Sequence, residues 1–94
     1  MKNVFVLIAI CFSASFAFAD TFETGTDRPG YDYFSYDMFN PRAILCQWKC
    51  QQDNRCRAWT YVKPGVQGPS ARCWLKHTVP AQVRSNCCTS GIIN

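Results

Sequence analysis

A small, disulfide-stapled α+β domain is the class the sequence predicts, one helix set against several short strands. Three observations predict it. Six cysteines remain once an N-terminal leader is set aside, two of them fall at helical spacing, and the segment after them alternates as strands do.

The leader comes first in the chain. Lys2 precedes an apolar run from Val4 to Phe18, and Ala17-Phe18-Ala19 puts small residues where a signal peptidase needs them, with Asp20 following. The run is shorter than the ~20 residues that span a bilayer. Residues 1–19 are therefore expected to be a cleaved signal peptide, and Cys11 within them an apolar filler lost on cleavage. Of 94 residues, 75 remain, with Cys46, Cys50, Cys56, Cys73, Cys87 and Cys88. An even set in a short exported chain reads as a disulfide framework in an oxidising compartment, periplasmic or secreted. A core of this size supplies only ~3–5 kcal/mol, so cross-links are the expected reinforcement. Losing Lys2 leaves nine basic residues against six acidic, a net charge of +3. That balance, without a basic run, gives no reason to expect nucleic acid, while an acidic glycan stays among the candidate partners.

Residues 20–30 are polar and read as a loose arm, with the folded domain expected over 31–94. Tyr31–Phe39 is aromatic-rich and predicts a first strand. Asn40-Pro41 predicts a helix start, Asn40 as N-cap and Pro41 at the first helical position. Across Pro41–Asp53 the residues Ala43, Cys46, Cys50 and Asp53 share one helical face, which places Cys46 and Cys50 on the buried side. Cys56–Val62 then alternates: Cys56, Ala58, Thr60 and Val62 on one face, Arg57, Trp59 and Tyr61 on the other. A Gly/Pro-rich connection, Lys63–Arg72, leads to a second strand, Cys73–Lys76, in which Leu75 follows Cys73 and Trp74 and Lys76 face away. Cys87-Cys88 opens the last strand, which ends near Ile93.

These residues together resemble the PAN/apple domain family. The resemblance rests on the helix with Cys46-x3-Cys50, on Cys56-Arg57-Ala58-Trp59-Thr60-Tyr61, on the Gly/Pro loop and on Cys73-Trp74-Leu75-Lys76. Asp27-Arg28-Pro29-Gly30 and Cys87-Cys88 match the variant found in exported bacterial proteins, and the likeness covers roughly residues 26 to 92. It implies a curled antiparallel sheet packed on one helix, and two core disulfides, Cys46 with Cys73 and Cys50 with Cys56. In the chain-entropy account these bridges contribute roughly 3.5 and roughly 2.4 kcal/mol. It also implies a binding module for protein or carbohydrate.

Cys87 and Cys88 are left to each other by the count. Adjacent Cα atoms lie ~3.8 Å apart, closer than the ~4.4–6.8 Å usual across a disulfide, so a vicinal bridge is strained and more easily reduced. Unbridged on a strand, the two side chains point to opposite faces, and an outward thiol invites a link to another chain.

Catalytic chemistry has little to work with. His77, the only histidine, stands beside Lys76 and reads as a surface residue rather than a base. A zinc site from Cys46, Cys50, Cys87 and Cys88 competes with oxidation, which the leader favours. No metal and no cofactor is expected, and the chain is not expected to be an enzyme. What remains is a surface of Arg57, Trp59, Tyr61, Lys63, Arg72, Trp74 and Lys76, suited to sugar stacking, acidic glycans or a protein hot spot. Against it stands the expectation that Trp59, Tyr61 and Trp74 pack as a second small core. Trp48, off the cysteine face of the helix, is a further exposed anchor. The alternative function is an exported inhibitor of a protease- or lysozyme-type hydrolase, acting through the Lys63-Pro64-Gly65-Val66-Gln67-Gly68-Pro69 loop.

Overall fold

The computed structural model describes residues 19–94; the expected leader, apart from Ala19, lies outside the described residues. The elements run β1 (Glu23–Asp27), β2 (Asp32–Met38), α1 (Ala43–Gln51), β3 (Ala58–Val62), β4 (Ala71–Lys76) and β5 (Val83–Ile92). The strands form one sheet in the order β1-β5-β3-β4-β2, every neighbouring pair antiparallel, with α1 packed on one face. This is a small disulfide-rich α+β fold. Among the described residues no helix is long and apolar enough to cross a membrane.

Register decides what lies under the helix. Tyr61 pairs with Cys73 and Trp59 with Leu75, and directly opposed residues share a face. Cys73 is bridged to Cys46 of α1, so Trp59, Tyr61, Cys73 and Leu75 all turn toward the helix. There they pack with Met38, Cys46, Cys50 and Cys56 as the core. Trp59 is 0 % exposed, and its ring faces its cross-strand partner Gly91, where a Cβ would lie 2.7 Å from the indole. Glycine there makes the room that the indole occupies. Cys50–Cys56 ties the helix to the turn after it, so both pairings implied by the family resemblance are present.

Three local expectations need correction. The helix starts at Ala43, with Arg42 in extended conformation at the cap position and no side-chain cap. Asn40 is not the N-cap because Pro41 stays outside the helix: its carbonyl accepts from the Tyr61 hydroxyl at 2.9 Å, while Leu45 N–H donates to Arg42 O. The last strand opens at Val83, placing Cys87-Cys88 in its middle. Residues 23–27, expected as a loose arm, form β1 and pair with β5.

A buried cation anchors β1. Arg28 donates to both Glu23 carboxylate oxygens at 2.9 Å, to Pro80 O and to Gln82 Oε1. Those Arg28 hydrogen bonds hold the Glu23 carboxyl below its ordinary value, outweighing its partial burial, and the Thr21 hydroxyl adds to the effect. Because the folded value is the lower one, the pair's contribution is fully present above the unfolded value near 4.5 and is lost as pH falls through the folded value. Urea midpoints followed into acid are expected to converge for wild type and Glu23→Gln, and to separate at neutral pH. A constant gap at every pH is the contrary result.

Candidate functional site

The face away from the helix carries a cleft of about 250 Å³, lined by Trp74, Lys76, Asp32, Gln67, Thr60 and the Cys87-Cys88 pair among others. Its walls are preorganised by local bonds. Trp74 Nε1 donates to Gln67 Oε1 at 2.9 Å, which ties the Gly/Pro loop to β4. The Arg72 guanidinium sits 5.4 Å from the Trp74 ring centroid and donates to Asp37 Oδ1 at 2.6 Å and Ser35 Oγ at 2.9 Å. Lys76, 2 % exposed, donates to Asp32 Oδ1 at 2.5 Å and to Gly30 O. Thr60 and Ser90 hydroxyls meet at 2.7 Å, and Ser90 donates on to Thr26 O. Both basic side chains of this face are thus matched by a carboxylate.

The seven residues expected on one surface divide three ways. Arg72, Trp74 and Lys76 come together on the cleft face. Trp59 and Tyr61 are core, a correction that follows from register: their partners Leu75 and Cys73 face the helix, so the bulky members of β3 fill the space beneath it while Thr60 and Ala58 turn outward. Burial of the Tyr61 phenol raises its ionisation above the ordinary value. Arg57 and Lys63 are exposed but flank β3 at opposite ends, about 20 Å apart at strand rise. The four-thiolate zinc set does not assemble, since Cys46 and Cys50 are bridged under the helix and Cys88 faces the cleft.

On the helix side lies a second feature, a groove of about 290 Å³ between the end of β2 and α1, lined by Tyr36, Met38, Phe39, Leu45, Trp48 and Lys49. Trp48 is 56 % exposed, as its place off the cysteine face predicts, and Phe39 stands free of the fold at 106 %. Lys49 Nζ lies 5.9 Å from the Tyr36 ring centroid, and burial raises the Tyr36 phenol. At the far end of the helix Tyr33 donates to Asp53 at 2.7 Å under the Arg55 guanidinium; burial first, then Asp53, pushes Tyr33 up to about 12. Phe39, Met38 and Leu45 were not singled out as site residues. The aromatic pattern counts Phe39 with the first strand, whereas β2 ends at Met38 and leaves Phe39 outside it.

The helix holding Cys46 and Cys50, its bridges to β4 and to the following turn, and the order of β2, α1, β3 and β4 coincide with a family match. Residues 26–76 match the PAN domain family. The chain belongs to the PAN domain family. Such domains are in general protein- or carbohydrate-binding modules, and not typically catalytic. No curated protein and no solved structure matches the chain. The matched span of this PAN domain holds α1, both scaffold bridges and the groove, and stops at Lys76, before β5 and the vicinal pair.

Proposed function

We propose that this PAN domain is an exported, non-catalytic module that docks a protein partner through the groove between β2 and α1. The observation that carries this reading is the exposed aromatic cluster there, Phe39 and Trp48 above Tyr36, Met38 and Leu45. Phe39 and Trp48 both line one groove, and a contiguous exposed apolar patch marks an interaction site, where aromatic anchors concentrate binding energy. Lys49 and Asn40 at the rim supply polar contacts.

A carbohydrate reading has its own support in Trp74, whose ring lines the polar cleft beside Asp32, Thr60 and Gln67. Since Arg72 and Lys76 are bound to Asp37 and Asp32, that cleft favours a neutral sugar over an acidic one. The inhibitor alternative keeps the exposed 63–69 loop, pinned by Gln67.

The test sets the wild-type protein beside Trp48→Ala and Trp74→Ala on the secretome of its own source and on a glycan array, with affinities then measured for whatever is retained. Trp48→Ala is expected to weaken the retained protein by about 2 kcal/mol, ~30-fold, with an unchanged melting temperature. Glycan binding lost with Trp74→Ala and kept with Trp48→Ala replaces the groove by the cleft. Nanomolar slowing of a hydrolase, sensitive only to loop changes, replaces both.

A further inference from the structure

We propose that Cys87–Cys88 is a reducible site whose opened form holds a thiophilic divalent cation together with Asp27. It lies on the sheet face opposite the groove and rests on no reading of partner binding.

The placement of the pair sets it apart from the other two bridges. Cys46, Cys50, Cys56 and Cys73 are buried to within 1 % under the helix, whereas Cys87 is half-buried and both members of the vicinal pair line the cleft. On a regular strand, neighbours face opposite sides. Here the ladder between β1 and β5 breaks: from Thr24↔Thr89 to Thr26↔Arg84, Gly25 alone opposes Ser85–Cys88. Gly25 takes φ 64° at that point, a conformation glycine adopts without strain. Bulges of this kind re-aim side chains, and this one turns both sulfurs toward one cleft.

Three donor atoms meet there. The Asp27 carboxylate and the Cys87 and Cys88 sulfurs all lie within 4.8 Å of one another. Among the described residues Asp27 takes part in no ion pair, and the lysine of the same cleft is bound to Asp32. In the oxidised state two of the three donors are a neutral disulfide. Opening it places two ionisable thiols beside a carboxylate, a cluster of potential anions that a divalent cation neutralises. Two sulfurs and one oxygen suit a soft, tetrahedral ion such as zinc or cadmium, with water in the fourth position.

The opening step balances with a small dithiol as reductant. One thiolate of the dithiol attacks the accessible Cys87 Sγ, forming a mixed disulfide and expelling Cys88 as thiolate. The second thiol of the reductant then closes on its own sulfur and releases Cys87, whose sulfur accepts a hydrogen bond from Ser85 Oγ at 3.1 Å. Two electrons pass from the dithiol to the pair; the reductant ends as a cyclic disulfide and the protein as two thiols. Cation binding then displaces the thiol protons to solvent.

The purified, oxidised protein is titrated with dithiothreitol under native conditions, quenched with iodoacetamide and read by peptide mass spectrometry. Cys87 and Cys88 are expected to be alkylated at a reductant concentration at least about tenfold below that which opens the other four, because access controls exchange. The selectively reduced protein, desalted without oxygen, is then titrated with cadmium chloride and followed by thiolate-to-cadmium absorption. Saturation at one equivalent is expected, with Asp27→Asn weakening it by at least the ~10–100-fold that even outer-shell partners contribute. Cys87→Ser/Cys88→Ser is expected to abolish the band while keeping the circular dichroism of the fold. Simultaneous opening of all six cysteines, or cadmium uptake no tighter than in the double serine variant, overturns the proposal. Unchanged affinity in Asp27→Asn removes the three-donor site and overturns it equally.

Discussion

Trp59→Ala is expected to lose most of the stability that the core supplies. Truncating a fully buried tryptophan costs about 3–5 kcal/mol in transfer and cavity terms, which is comparable to everything a core of this size supplies. Trp59 fills the space between α1, Leu75 and Gly91, with the Phe22 ring centroid 5.6 Å away, so its truncation opens a void at the centre of the sheet–helix interface. Chemical denaturation followed by far-ultraviolet circular dichroism checks it. Trp59→Phe separates volume from polarity. The indole Nε1 is buried without a hydrogen-bond partner among the described residues, and an unpaired buried donor is itself unfavourable. Phenylalanine removes that donor while keeping most of the apolar bulk, so its loss of stability should be clearly smaller than that of alanine. Equal midpoints for wild type and Trp59→Ala would remove Trp59 from the centre of the core.

Removing the long bridge is the second large effect. Cys46→Ala/Cys73→Ala is expected to lose about 3.5 kcal/mol, because a closed loop spanning the 27-residue separation is released in the unfolded chain. The 6-residue separation of Cys50–Cys56 gives the smaller figure of about 2.4. Cys87→Ser/Cys88→Ser should lose far less than either, since adjacent residues close no loop that restrains the chain. Urea midpoints in that order are the expected result. A vicinal variant as damaged as the long-bridge variant would contradict the loop-entropy account.

How much of this was legible in the residues follows from how local each determinant is. The helix face of Cys46 and Cys50, the alternation of β3 and the outward set of β4 depend on spacing within a few residues, and the sequence carries them. Alternation divides a strand into two faces but does not say which is buried. For β3 that choice is made by pairing Tyr61 with Cys73, twelve residues away across a loop, and so alternation alone places Trp59 and Tyr61 on a surface they do not share. Strand β1 is further from reach. Its polar, glycine-containing sequence has no strand signal of its own; it is extended because β5, some sixty residues later, offers a ladder and because Arg28 finds Glu23, Pro80 and Gln82. The helix start was missed for a similar reason, since the Tyr61 hydroxyl claims the Pro41 carbonyl. The groove is half legible: Trp48 follows from helical phase, whereas Phe39 is counted with the aromatic strand until the structure ends β2 at Met38.

The place of β5 in the sheet governs the order in which the molecule can be assembled. Of the described strands, the one latest in chain order, β5, fills an interior slot between β1 and β3. Until Val83–Ile92 has emerged, β1 has no neighbour to pair with, and β3 presents one bare edge. The β2–β4 and β3–β4 pairings and the Cys46–Cys73 bridge involve no residue of β5. Pairing of β5 also brings residues 20–21 beside residues 92–94, seen in Thr21 N–H on Ile92 O and Asn94 N–H on Asp20. Contacts of such long sequence separation are slow to form. During that interval the open edge of β3 is the site where association between unfinished chains would begin.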